Sequence, residues 1–252
     1  MADPLHQFVV QDIIPLEIAG VDISFTNSSL WMVIAGVVST LFLTMAMRKP
    51  ALVPGRLQVM AEMLYGFIAN MIRDNVGTKG MQYFPLIFTL FMVVLMGNLL
   101  GLIPYSFTYT GQLIVTVSLA LVIFLTVLIL GFVRHGTHFF SLFMPPGLPL
   151  WLAPLIIPLE VVSFLIRPVT LSVRLFANMM AGHLMLKVFA GFSVAMISAA
   201  AGMGVFGWLG AAFPLLFNTV LTGFELMIAL IHAYVFSVLS CLYLKDTVEL
   251  AH

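Results

Sequence analysis

The sequence predicts an all-α integral membrane protein with about five membrane-embedded helices plus one amphipathic surface helix, the last two spans being long and steeply tilted as a hairpin. Three observations predict it. Of 252 residues, 62% are hydrophobic and 8% charged, whereas a soluble domain carries about a quarter charged residues. Uncharged apolar runs long enough for a hydrocarbon core of about 30 Å recur along the chain. The terminal stretches carry polar residues at helical spacing inside otherwise apolar sequence.

The same composition excludes several classes. The net charge is zero and the ten lysines and arginines are scattered, so no clustered basic face suits a nucleic acid. One cysteine, Cys241, leaves neither an internal disulfide nor a multi-cysteine metal site. No cofactor and no metal are expected, and no residue is expected to make or break bonds. The N-terminus lacks a basic stretch before an apolar core, so the first span reads as retained.

Residues 1–29 read as an outside segment, with Asp3, Asp12, Glu17 and Asp22 and no lysine or arginine. The uncharged run 30–47 is the first span. Arg48, Lys49, Arg56, Arg73 and Lys79 follow it, which by the positive-inside rule makes this stretch cytoplasmic and the N-terminus external. Over 57–72, Leu57, Met60, Ala61, Leu64, Phe67, Ile68 and Met71 recur at helical spacing between charged edges (Arg56, Glu62, Arg73, Asp74), a helix lying on the inner surface.

Residues 80–133 contain no charge and break only at 104–111, giving two spans that turn outside and return at Arg134, His135 and His138. Three upright spans and the surface helix thus occupy 30–133. A cytoplasmic loop follows over 134–148, with a helix-breaking cluster at Pro145, Pro146, Gly147 and Pro149.

The tilted hairpin occupies 149–252. A helix from Leu150 to Lys187 would reach about 57 Å at about 1.5 Å per residue, nearly twice the core thickness. Such a helix is either broken or steeply tilted. A stretch from about Val205 to Leu244 poses the same problem, and Gly191, Gly202 and Gly204 mark a glycine-rich turn before it.

Along this hairpin Glu160, Ser163, Arg167, Thr170, Arg174 and Asn178 recur every three or four positions, so one side of one helix is polar. Asn218, Thr222, Glu225 and His232 share a face of the partner stretch. Pro168 removes a helix donor and frees the Phe164 carbonyl. Arg174 stands out, because an arginine at membrane depth costs at least about 2.5–3.5 kcal/mol and needs a partner, a wet cavity or a task.

These residues resemble a known family. The run TLSVRLFANM (170–179) followed by AGH (181–183) resembles the signature of subunit a of the F-type ATP synthase membrane sector. FTNSS (25–29), PGRLQ (54–58) and GNLLGLIPY (97–105) extend the resemblance over nearly the whole chain. It implies a proton-conducting stator that offers two offset aqueous half-channels to a rotating c-subunit ring, with peripheral-stalk b subunits as further partners.

By resemblance, Arg174 is the essential arginine, and Asn178, His183, Glu225, His232 and Asn218 line the outer half-channel. Glu160, Ser163 and Arg167 line the inner one. Some bacterial members have the acid and histidine of the His183 and Glu225 positions exchanged; this order resembles alphaproteobacterial and mitochondrial members. The implied location is a bacterial plasma membrane, or alternatively the mitochondrial inner membrane.

Plainer readings stand beside these. Arg174 could be one half of a structural ion pair. Arg167 could pair with Glu160 or meet a headgroup, Lys187 could snorkel outward, His183 and Glu225 could be a satisfied buried pair, and Asn98 could serve helix packing. The main alternative is an ion-coupled secondary transporter, although the internal repeat common in transporters is not visible. A haem-binding subunit would need more histidines at depth than His183 and His232 supply, and the His-Glu-x-x-His pattern of a metalloprotease is absent.

Overall fold

A computed structural model of the chain describes residues 8–18, 21–22, 24–103, 106–144 and 151–248, with backbone only for 18, 21–22, 199–209, 211 and 248. Pro104 and Tyr105 of the expected outer turn, and the cluster from Pro145 to Pro149, lie outside the described residues.

The N-terminal segment holds four short strands that the helical reading did not anticipate. β1 (Asp12–Ile14) pairs antiparallel with β4 (Phe25–Thr26), and β2 (Glu17–Ile18) with β3 (Val21–Asp22). The Asn27 side chain closes this hairpin, donating to the Val9 carbonyl at 3.1 Å and accepting from the Gln11 N–H at 3.2 Å.

α1 (Asn27–Met47) begins three residues before the uncharged run because Thr26 caps it, its hydroxyl accepting from the Ser29 N–H at 3.3 Å. α2 (Arg56–Val76) buries Ala61, Ile68, Ala69, Met71, Ile72 and Val76. It stops at Gly77, whose φ of +79° suits glycine and whose N–H donates to the Arg73 carbonyl at 3.1 Å.

A 3-10 turn (Thr78–Tyr83) leads into α3 (Phe84–Gly101), and α4 (Leu113–His135) returns. The stretch read as a loop after it continues as a 3-10 helix, Gly136–Phe143. Phe139 is buried there among the rings of Phe132, Phe143 and Phe164, at centroid distances of 5.0, 6.2 and 6.4 Å.

α5 runs from Ala153 to Val248, and the glycine-rich segment expected as a turn keeps helical backbone throughout. The chain nevertheless doubles back within it. Phe189 and Phe217 would lie about 42 Å apart on a straight helix, yet their ring centroids are 4.5 Å apart.

Five helical segments are long and apolar enough to cross a membrane: Asn27–Met47, Thr78–Gly101, Leu113–Phe143, and the two arms of α5, Ala153–Ser198 and Ala212–Thr247. With α2 beside them, the all-α membrane architecture holds. The arms of 46 and 36 residues reach about 69 and 54 Å as straight helices, beyond the core thickness.

The chain divides into two compact units, one of Met1–Val37, Val94–Gln112 and Leu175–His232, the other of Val38–Val93, Leu113–Arg174 and Ala233–His252. The first is centred on Tyr109, Met179 and Ala229, the second on Ile68, Ile72, Ile87, Ile123 and Phe236, all almost fully buried.

Candidate functional site

In the first unit the two arms of α5 bring together side chains far apart in sequence. His183 and Glu225 face each other, Nδ1 to Oε1 at 3.6 Å, with side chains only 7% and 5% exposed. The opposite ring nitrogen, Nε2, lies 3.1 Å from the Thr108 hydroxyl in the α3–α4 connection. Thr108 also donates to the Gly101 carbonyl at 3.3 Å, which ties that hydroxyl to the end of α3.

Chemically this is a row of hydroxyl, imidazole and carboxyl. An imidazole with each nitrogen aimed at a different polar group can take a proton on one side and release it on the other. The 3.6 Å gap exceeds hydrogen-bond length, so passage to Glu225 requires a small side-chain movement or a bridging water. Neither buried carboxyl oxygen of Glu225 has a hydrogen-bond partner among the described residues. Such a group inside an apolar span is a candidate for function rather than a source of stability.

Gly182 makes the close approach possible. A Cβ there would stand 2.8 Å from Glu225 Oε1.

Asn178, one helical turn before Gly182, donates through Nδ2 to His232 Nε2 in a very short contact. Between Glu225 and His232 on the same arm, the Ala229 carbonyl accepts from Asn98 Nδ2 at 3.4 Å, and Asn98 is fully buried. All the expected outer-side residues therefore lie in the first unit.

Beside them is a cavity of about 840 Å³. Its polar lining comes from Gln11, Asn27, Ser106, His183, Asn218 and Thr222, with Lys187 as its lysine. His183 thus lines this space and also faces a buried carboxyl group.

The second unit holds a different polar group. Arg167 Nη1 donates to Asp246 Oδ2 at 2.6 Å, while Glu160 Oε1 is 3.9 Å from Nη2. The guanidinium also lies over the rings of Phe164 and Tyr243, at 5.8 and 5.5 Å from their centroids. Arg167 is therefore held chiefly by Asp246 and Tyr243 of the second arm, with Glu160 a looser neighbour on its own arm. Ser163 is exposed and joins neither contact.

Arg174 is exposed as well, and among the described residues no carboxylate lies within ion-pairing distance of it. The structural ion pair weighed for it has no counterpart there. Thr170 and Asn178 are exposed too, so the polar stripe is exposed at Thr170, Arg174 and Asn178 and half-buried at Glu160 and Arg167.

Sequence reasoning missed Thr108 and Asp246. It read Gly182 only as part of a motif. Thr108 gives no signal in sequence, whereas Asp246 could have been found as the acid near the far end of the second polar arm.

Comparison with known proteins assigns the chain to a family. The family described as "ATP synthase A chain" matches residues 29–245. The chain is similar to "ATP synthase subunit a" of Parvibaculum lavamentivorans, with 51% identity over 250 residues covering 99% of this chain and 95% of that protein. It is 51% identical to the subunit a of Rhizobium etli over 247 residues (98% and 97% of the two chains). With the subunit a of Agrobacterium fabrum it shares 52% identity over 250 residues (99% of each). With matches of this extent at both levels, the chain belongs to the family of ATP synthase subunit a.

Proposed function

We propose that this chain, as a non-catalytic subunit of the proton-translocating membrane sector, provides two offset half-channels to a rotating c-subunit ring, with Arg174 as the electrostatic separator. Family membership and the five apolar helical segments support the coarser part, a multi-pass membrane subunit in proton transport. The bacterial relatives favour a bacterial plasma membrane. The c ring, and b subunits of a peripheral stalk, are its proposed neighbours.

One observation carries the finer reading. Arg174 is exposed without an acidic partner among the described residues, and along the sequence of the same arm polar residues lie about one to two and a half turns after it and about two to four turns before it. After it come Asn178 and His183, the latter with Glu225 and the cavity. Before it come Arg167 and Glu160. We assign the first set, with His232 and Asn218, to the outer half-channel, and Glu160, Ser163 and Arg167 to the inner one.

The mechanism follows from charge. The Arg174 guanidinium is a fixed positive charge, so it attracts an ionised rotor carboxylate and repels a free proton from crossing between the half-channels. The carboxylate leaves Arg174 only after protonation from one side. Each charge moved through the membrane field yields about 2.3 kcal/mol per 100 mV, which biases the direction.

The test is ATP-driven acidification of inverted vesicles carrying Arg174→Ala, with assembly of the complex measured alongside. Loss of pumping in an assembled complex is expected. Coupled pumping retained would overturn the separator role and favour an ion-coupled transporter, which would also copurify without a small two-helix subunit bearing a buried carboxylate.

A further inference from the structure

The motif PGRLQ (54–58) takes no part in either polar group, yet its last residue is committed to a specific task. Gln58 is 7% exposed on α2, and its carboxamide reads both backbone groups of Ala51. The Ala51 N–H donates to Oε1 and Nε2 donates to the Ala51 carbonyl, each at 3.2 Å. Nε2 also donates to Glu62 at 2.8 Å, which orients the amide. A buried side chain that satisfies both groups of one loop residue fixes the loop as a mini-strand would.

The clamp displays the two residues that follow. Leu52 is 105% exposed and Val53 87%, on non-helical backbone beyond the end of α1 at Met47. Exposed Leu57 and Met60 extend this apolar tip onto the first turn of α2. Arg48, Lys49 and Arg56 flank it, all exposed, and among the described residues none has an acidic partner within ion-pair distance.

We infer that the loop 48–56 is an interfacial anchor, with Leu52 and Val53 seated among the acyl chains and Arg48, Lys49 and Arg56 bound to anionic phospholipid headgroups of the cytoplasmic leaflet. Its position favours lipid over a protein partner. It begins one residue past a span, within the headgroup layer, on the side the basic residues mark as cytoplasmic. An apolar tip of four side chains flanked by three cations is far smaller than a stable protein interface of about 1,000 Å², and it has the form of a membrane-inserting edge with a polybasic collar.

The experiment uses the whole ATP synthase complex with Leu52→Cys, labelled with an environment-sensitive fluorophore and corrected against the complex lacking that cysteine. It is reconstituted into vesicles of phosphatidylcholine alone or mixed with phosphatidylglycerol. The expected result is a blue shift and quenching by brominated acyl chains, both larger in the anionic vesicles, with the increment lost in Arg48→Gln, Lys49→Gln, Arg56→Gln. Should that triple variant not assemble, high salt on the Leu52→Cys complex must erase the same increment. Two results overturn the inference: quenching by aqueous iodide regardless of lipid, which makes the loop solvent-borne, or a blue shift untouched by brominated lipid, which means that a neighbouring subunit covers it.

Discussion

Gly182 and Glu225 are packed so closely that a single methyl group on the glycine would stand 2.8 Å from the carboxyl Oε1. The atom in the way is the far end of a flexible side chain, so the protein can accommodate the methyl by moving the carboxyl group. That movement displaces Glu225 from His183, now 3.6 Å away. Gly182→Ala is therefore expected to assemble normally and pump more slowly. A displacement costing about 1 kcal/mol at the transfer step corresponds to about a fivefold loss of rate. Acidification rates normalised to assembled complex check this, and an unchanged rate would show that the approach of Gly182 to Glu225 has no bearing on transport.

Thr108 holds the other edge of the imidazole. Removing its hydroxyl leaves a buried ring nitrogen without its partner, at a cost of about 1–3 kcal/mol. Thr108→Val is expected to lower both the thermal stability of the complex and its pumping, while Thr108→Ser, which keeps the hydroxyl, restores both. Equal behaviour of the two variants would mean that the 3.1 Å contact to His183 contributes packing only.

The helical spans were legible because lipid demands long apolar runs, and the polar stripe because period and polarity reinforce each other. Other features were set by contacts that sequence spacing does not encode. Arg167 and Glu160 lie seven positions apart on one helix and suggest a pair; the shorter contact goes to Asp246, 79 positions away. Thr108 reaches His183 across 75 positions. The N-terminal strands are only two or three residues each, too short for alternation to show, and the β1–β4 pair is closed by the Asn27 carboxamide. At the hairpin tip, glycines suggested a break in the helix. There the chain reverses within helical backbone.

Gly97 illustrates a different constraint. A Cβ on Gly97 would meet Tyr109 Cζ and Oη at 2.5 Å, and Tyr109 is 2% exposed. Unlike the Glu225 carboxyl group, a buried ring has nowhere to go. Gly97→Ala is expected to destabilise the protein by about 1–3 kcal/mol through overpacking. Reduced assembly should accompany near-normal pumping per assembled complex. Tyr109→Phe should not rescue it, because the clash involves the ring as well as the hydroxyl. Normal assembly of Gly97→Ala would show that α3 and the α3–α4 connection can separate at little cost.

The Arg167–Asp246 contact tests how a cation between the arms of α5 is held. The two side chains are 28% and 37% exposed, so their polar surroundings screen the pair and its coupling should be about 1 kcal/mol or less. Arg167 additionally covers the Phe164 and Tyr243 rings, contacts that Asp246→Asn leaves in place. A double-mutant cycle with Arg167→Gln and Asp246→Asn, read as thermal stability of the complex, should therefore give a larger loss for the arginine than for the aspartate. The coupling term should be smaller than the single effect of Arg167→Gln. If Glu160 rather than Asp246 were the working partner, Glu160→Gln would show the larger coupling, against the order of the distances, 3.9 and 2.6 Å. Proton pumping measured in the same variants separates two roles for Arg167. If the arginine only ties the arms of α5 together, pumping per assembled complex survives its loss; if it also lines the exit path, pumping falls while assembly persists, and the inner half-channel proposal stands on that difference.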